Sequence, residues 1–316
     1  MKPILLRAFD EADVPSLRAL LHSVWGDDSS VRHYYRFGPV EREASSDVPA
    51  RTTVADVSGV VVGVASVWRD SMHPNRLRCG VMVHPAYRHK GLGRQLAACL
   101  EELNPEALPL STSLWAHKAE GRTARFLHAL GFHQVQAKYI GQLSVRDVDV
   151  EAFRPLMEWV KEAGYTVHSL ADYLERSADR LALAELFREV YTASHRHDPP
   201  ADMALVDWLA LLQENAVPDG SLVVQCNGVP VAVALLHNGI QQSMELGWRG
   251  VAAAHAPAKR QLLLAVTLAQ ISYAAANGAR RVTLEAASTD AGSMTVLDEL
   301  PFAATPGWLT FHNDPA

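Results

Sequence analysis

The order of apolar and polar positions along the first half of the chain predicts alternating strands and helices. Strand-like runs, in which apolar residues are consecutive or alternate, lie at 3–6, 52–57, 60–68, 77–83, 109–116 and 132–143. Apolar residues at helical spacing predict helices at 17–24, 92–103 and 121–130. Ser58-Gly59 suits a tight hairpin turn, and Gly131 suits a helix C-cap. The pattern predicts a mixed α/β domain.

The same order of elements recurs in the second half. A strand at 167–170 and a helix at 181–190 precede a hairpin whose strands, 221–225 and 229–236, flank Asn227-Gly228. A strand at 247–251, a helix at 262–275, a strand at 282–285 and a closing helix and strand follow. Val251 lies 168 positions after Val83. We therefore expect duplicated domains at 1–145 and 146–316, with 151–163 as a connecting helix.

Length and composition are consistent with two packed domains. The 316 residues are 48% hydrophobic and 20% charged, which is typical of globular rather than disordered chains. The longest apolar stretches, such as 60–67, are shorter than the ~18 residues of a membrane span. The polar N-terminal residues predict no signal peptide, and three scattered cysteines predict no disulfide framework. We expect a cytoplasmic protein with no membrane or nucleic-acid partner.

Charge differs between the halves. The whole chain has a net charge of −6, but residues 1–150 carry a net +2 and residues 151–316 a net −8. If the protein binds a polyanion, the first half is the better host.

The segment from Val81 to Arg94 runs from a strand through a basic, glycine-containing turn into a helix. The start of a helix exposes unpaired backbone N–H groups and the positive end of the helix dipole, so it favours phosphate oxygens. Gly91 and Gly93 allow a ligand to approach the backbone closely. The segment predicts an anion site; from these residues alone, a solvated turn with an ordinary glycine start is an equal alternative.

This segment resembles the phosphate loop of the GNAT superfamily of N-acetyltransferases, Arg-x-x-Gly-x-Gly, at Arg88, Gly91 and Gly93. A helix ending in Gly-Phe at 126–132 resembles the second landmark of that superfamily. The resemblance implies acetyl-CoA or another acyl-CoA as co-substrate, with its pyrophosphate on the loop and its pantetheine along the preceding strand. The implied contact residues are Val81, Met82, Val83, Arg88, His89, Lys90, Gly91, Leu92, Gly93 and Arg94.

The second half resembles the same superfamily in outline, but its phosphate loop is degenerate. Ala256 replaces the arginine, and Lys259 and Gln261 replace the two glycines. The pattern is similar to that of tandem GNAT proteins of the mycothiol synthase-like type. We expect that this copy has lost CoA binding, although His255 and Arg260 leave a rearranged site open.

The catalytic positions of the superfamily are not matched in this chain. The superfamily commonly supplies a carboxylate from the fourth strand and a tyrosine from the helix after the fifth, but 75–83 contains no Asp or Glu and Leu127 occupies the tyrosine position. Three candidates could take these roles: His117, Glu120 and Tyr139. Each has an ordinary alternative as a loop, helix-start or packed residue. Water or a histidine then carries the proton, and a backbone N–H near Val83 holds the thioester oxygen.

Two further patterns favour structural roles. Cys79 is expected to fill the core. His195-x-His197-Asp198 contains metal-ligand types, but no fourth ligand follows at a suitable spacing, so we expect no metal site.

These observations predict a monomeric or dimeric acyltransferase that moves an acetyl or other acyl group from acyl-CoA to the amine of a small molecule. Two alternatives stay open. The donor is a carrier-protein thioester, or the chain is a catalytically silent acyl-CoA sensor.

Overall fold

The computed structural model describes residues 3–26, 51–116, 121–177 and 180–314. The strands are β1 Leu5–Ala8, β2 Arg51–Val57, β3 Val60–Arg69, β4 Leu77–Val83, β5 Leu110–Trp115, β6 His133–Ser144, β7 Tyr165–Ser169, β8 Leu222–Cys226, β9 Val229–Asn238, β10 Ser243–Val251, β11 Arg281–Ala287 and β12 Ala303–Asn313. The helices are α1 Val14–Trp25, α2 Leu92–Leu103, α3 Arg122–Ala129, α4 Arg154–Glu162, α5 Leu170–Arg176, α6 Arg180–Ser194, α7 Leu205–Gln213, α8 Lys259–Ala276 and α9 Ala291–Glu299.

The chain forms two compact units. The first comprises Met1–Val135, Asp198–Ala201 and Trp308–Ala316, and the second comprises Gln136–His197 and Asp202–Gly307. Each contains helices and a mixed sheet, so the predicted α/β fold class with duplicated domains is confirmed.

The strands of the first unit follow the order β1-β2-β3-β4-β5-β12. Neighbours are antiparallel except β4 and β5, which are parallel. The strands of the second unit follow the order β6-β11-β10-β9-β8-β7, again with one parallel pair, β10 and β11. The two units therefore repeat one topology.

The closing strand of each unit comes from the other half of the sequence. β6 pairs with β11 over 138–144, and β12 pairs with β5 over 110–115. The units therefore differ from the expected division at 145/146. The predicted connecting helix corresponds to α4, which packs against α8 as part of the second unit.

Both predicted hairpin turns form as expected. Ser58 and Gly59 have φ angles of 56° and 84°, and Asn227 and Gly228 have 52° and 80°. Two consecutive positive φ angles are typical of the turn that matches the twist of a two-residue hairpin. These turns fix the registers of β2 with β3 and of β8 with β9.

Both faces of the first sheet are covered. α2 packs on one face, where Leu92, Leu96 and Phe311 share an apolar cluster, and α1 packs on the other with Leu17 and Leu20. In the second unit, α8 supplies much of the core. None of the helices in the described ranges has the length and apolar character that a bilayer span requires.

The strand exchange makes the first unit depend on the end of the chain. Phe311 on β12 is fully buried in the cluster under α2. Phe311→Ala should lower the free energy of unfolding of the first unit by about 3–5 kcal/mol, as is typical for a buried phenylalanine.

Urea unfolding can measure this loss, with Thr305→Ala as the control. Thr305 lies on the same strand but is exposed, so its replacement should change the free energy of unfolding by less than about 0.5 kcal/mol. Equal small effects for both variants would show that β12 does not support the first core.

Candidate functional site

The first unit has a gap between two parallel strands. β4 pairs with β5 only at Leu77 with Leu110 and at Arg78 with Ser111. The Leu77 N–H donates to the Pro109 carbonyl at 3.0 Å, so the polar groups of Leu77 point towards β5. Because polar groups of alternate strand residues face the same edge, those of Val81 and Val83 also point into the gap.

Met82 is placed differently from the sequence-based expectation. It lies opposite Val64 of β3, so its N–H and carbonyl point to β3 rather than into the gap. Its side chain is buried beside Leu17 and Leu21 of α1. Of the three expected contact residues on β4, Val81 and Val83 present backbone groups to the gap, and Met82 does not.

A short turn connects β4 to the loop. The His84 N–H donates to the Val62 carbonyl at 2.9 Å, and the His84 Nδ1 accepts from the Ala86 N–H at 3.2 Å. His84 therefore caps the 3-10 turn Pro85–Tyr87, a structural role.

The loop itself reverses the backbone twice before α2 begins. His89 and Gly91 have φ angles of 62° and 84°, in the left-handed region. The N–H groups of Arg94 and Gln95 both donate to the Gly91 carbonyl. Within the described ranges, the N–H groups of residues 89–93 have no hydrogen-bond acceptor, so the loop presents a row of free donors at the start of a helix.

Two basic side chains of the loop brace its backbone. The Arg88 Nε donates to the Val83 carbonyl at 3.0 Å. The Lys90 Nζ donates to the Ala86 carbonyl at 2.8 Å and lies 5.4 Å from the centre of the Tyr87 ring. These contacts hold the loop in place while adding positive charge near its free N–H groups, an arrangement that favours phosphate.

The two loop glycines differ in what they provide. Gly91 has open space around it but a positive φ, a conformation that strains other residues. Gly93 has an ordinary backbone, and an added Cβ would lie 3.5 Å from the Phe126 ring, which is normal contact. The turn therefore requires glycine at position 91. At position 93, neither the backbone conformation nor the packing within the unit requires glycine.

The equivalent segment of the second unit lacks this loop. A 3-10 turn, Ala253–Ala258, continues directly into α8, and no residue between 252 and 262 has a positive φ. The Ala253 N–H donates to a carboxylate oxygen of Glu189 at 2.7 Å. The predicted degeneracy is confirmed, and a carboxylate of the chain lies where anions would otherwise be attracted.

Two of the basic residues near this segment bind other side chains. His255 shares a 3.0 Å hydrogen bond with the Tyr165 hydroxyl. Arg260 forms a bidentate pair with Glu299, with both distances 2.6 Å. Two of the basic side chains expected at a rearranged anion site are therefore already hydrogen-bonded to other side chains.

Of the three catalytic candidates, the structure describes Tyr139 alone. His117 and Glu120 lie outside the described residues. Tyr139 lies on β6 opposite Ala286 and packs against the apolar cluster of the second unit. The loop belongs to the first unit, as does Leu127, which packs against the first core.

Cys79 is buried in the first core. Burial raises the pKa of its thiol to about 12, so the thiol is protonated near neutral pH. This agrees with core filling rather than nucleophilic chemistry.

A polar cluster at the narrow end of the gap escaped the sequence-based analysis. Arg78 donates to the Ser111 hydroxyl at 2.9 Å and lies 3.2 Å from Asp198 and 3.5 Å from Asp70. Asp198 is distant in sequence, so no local pattern could have revealed the pair.

The His195-x-His197-Asp198 pattern is divided between the two units. His195 stacks on Tyr191 in the second unit, whereas Asp198 belongs to the first. In the described part of the chain, no group of three or more His, Cys, Asp or Glu side chains is arranged to hold a metal ion.

Comparison with known proteins agrees with this geometry. Residues 49–134 match the family model described as the acetyltransferase (GNAT) domain. The match contains β4, the loop and α2, and ends one residue before the break in the first unit. The first unit therefore contains a GNAT acetyltransferase domain. No curated protein sequence matches the chain.

Solved structures extend the likeness to the whole chain. A GCN5-related N-acetyltransferase from Sphaerobacter thermophilus is 17% identical with a TM-score of 0.64, covering 99% of this chain and 96% of its own. A tandem GNAT protein from the clavulanic acid biosynthesis pathway is 17% identical with a TM-score of 0.56, covering 99% and 100%. At these identities the likeness establishes the fold, which is that of tandem GNAT proteins.

The loop geometry generates a prediction about Gly91. Gly91→Glu introduces a carboxylate beside the free N–H groups and should weaken CoA binding by at least about tenfold, or roughly 1.4 kcal/mol. Titration calorimetry should give about one CoA per chain for the unchanged protein.

Gly228→Glu is a matched control. Gly228 also has a positive φ, 80°, and open space around it, but it lies in a hairpin turn of the second unit. Both variants should therefore lose a similar amount of stability, about 1 kcal/mol, while only Gly91→Glu loses CoA affinity. Affinity within twofold in both variants would refute the anion site.

Proposed function

We propose that this tandem GNAT protein transfers an acetyl or other acyl group from acyl-CoA to the amine of a small molecule. The observation that carries the proposal is the row of free N–H groups at residues 89–93, directly after a strand whose open edge faces a gap. Among the residues that the structure describes, only those of the first unit form this combination, so we infer one donor site per chain.

The residues present fit an acyl-CoA donor. The N–H groups of the loop suit its pyrophosphate, with Arg88 and Lys90 adding charge. The open edge at Val81 offers both an N–H and a carbonyl to the amides of the pantetheine arm, as a neighbouring strand would.

A thioester supplies an activated acyl carbon. In the transfer, a new bond forms from the amine nitrogen to that carbon, the carbon–sulfur bond breaks, and the thiol leaves. The Val83 N–H, which points into the gap, is the donor that we assign to the charge developing on the acyl oxygen. The backbone thus supplies both positioning and charge stabilisation.

Proton transfer in this proposal does not use a carboxylate from β4. The strand contains none, and Arg78 at its start is engaged with Ser111 and Asp198. Water therefore accepts the amine proton and protonates the leaving thiolate, which gives the free thiol. His117, Glu120 and Tyr139 stay predictions as catalytic groups.

Thiol release from acetyl-CoA, measured across a panel of amines, amino acids, aminoglycosides and peptides, tests the proposal. For at least one amine, we expect thiol release to be faster than it is without an acceptor. At a low acetyl-CoA concentration, the Gly91→Glu variant should release thiol at least tenfold more slowly than the unchanged protein. An acetyl thioester of pantetheine distinguishes acyl-CoA from a carrier-protein donor. Thiol release from it as fast as from acetyl-CoA would favour the carrier-protein donor. Tight CoA binding with no release would favour a sensor.

The absence of a carboxylate on β4 also predicts the pH dependence. The rate should rise with pH as the acceptor amine becomes neutral, following the pKa of the amine. Tyr139→Phe should lower kcat by less than about tenfold, because its ring packs in the second unit. A hundredfold loss with CoA binding and folding unchanged would instead identify Tyr139 as a general acid.

A further inference from the structure

The second unit keeps the gap between its parallel strands but not the phosphate loop. β10 and β11 pair from Ser243 with Arg281 to Leu246 with Leu284, and then diverge. An open cavity of about 120 Å³ lies at this point. It is comparable to the ~150 Å³ protein cavity that holds benzene, so a small organic group fits.

Four charged side chains of the described residues line this cavity: Lys138 and the carboxylates of Glu245, Glu285 and Asp290. Glu285 pairs with Lys138 at 2.7 Å, and Asp290 accepts from the Gly292 N–H at 2.9 Å. Glu245 is exposed and has no hydrogen-bond or ion-pair partner among the described residues. The excess of carboxylates in the described lining favours a positively charged ligand.

His237 adds a hydrogen-bonding group. It lies opposite Glu245 across the β9–β10 pair and lines the same cavity. Its Nε2 is buried and has no partner within the described ranges. Burial lowers the pKa of His237, so the ring is neutral near pH 7 and can accept a hydrogen bond from an ammonium group.

The ring of His237 is held firmly in this place. It packs on the backbone of Gly247, where an added Cβ would lie 2.7 Å from the ring Cε1. Trp248 and His195 form an aromatic wall, with ring centres 5.2 Å apart, suited to the alkyl part of an amine.

An anionic ligand such as CoA is disfavoured at the same cleft. In the neighbouring turn, Ala253–Ala258, no residue has a positive φ, and the carboxylate of Glu189 already accepts from the Ala253 N–H. The second half also carries a net charge of −8. Repulsion would therefore act against a polyphosphate both locally and at longer range.

We propose that the cleft between β10 and β11 is a separate binding site for a small primary ammonium ion, with Glu245 supplying the charge and His237 an acceptor. This site goes beyond the proposed acyl transfer, and it does not require the first unit to be active.

A titration by ligand-observed NMR, with no acyl-CoA present, tests the site. The probes are n-butylamine and 1,4-diaminobutane, with 1-butanol and butyrate as neutral and anionic matches. We expect at least one amine to bind with a Kd below about 10 mM. Butanol and butyrate should each bind at least about fivefold more weakly. Failure of both amines to bind, or equal binding of butanol or butyrate, would overturn the proposal.

Two variants locate the binding and separate it from the donor site. Glu245→Gln should weaken amine binding at least about fivefold, whereas Glu214→Gln, at an exposed position of the same unit, should change it less than twofold. Gly91→Glu should bind the amine as well as the unchanged protein does. Unchanged binding in Glu245→Gln would refute the site, whatever the acyltransferase assays show.

Discussion

The function of the first unit depends on where one parallel strand pairing stops. β4 and β5 share only two paired positions, after which the polar groups of Val81 and Val83 lack a neighbouring strand. Unpaired backbone groups in a protein interior are costly, so such an edge persists where water or a ligand can complete it. β3 and β12 hold the outer sides of β4 and β5 and keep the gap in place.

The two copies have the same gap but differ in what lies beside it. In the first copy, positive φ angles at His89 and Gly91 leave N–H groups free for an anion. In the second, a 3-10 turn without positive φ angles and the carboxylate of Glu189 occupy the equivalent place. One topology thus presents free N–H donors in one copy and a carboxylate in the other, because a few residues after the strand, rather than the sheet, set this difference.

Much of the fold was predictable because it rests on local patterns. The hairpin turns, α2 and the helix cap at Gly131 follow from neighbouring residues, and the phosphate loop follows from its glycines. The strand exchange was not, because β6 and β12 have the same alternating pattern whichever sheet they join. The pair of Arg78 with Asp198 and the position of His237 opposite Glu245 were equally hidden. The first joins segments that are distant along the chain, and the second lies across a strand pair.

The exchange of closing strands has a consequence for how such a chain can change over generations. A duplicated domain that has lost its phosphate loop would ordinarily be free to disappear. Here, truncation before β12 would remove Trp308 and Phe311 from the first core and expose the edge of β5. The first unit therefore needs a strand that follows the degenerate copy in sequence. The copy is kept for that reason, while its own cleft residues can change towards a new ligand.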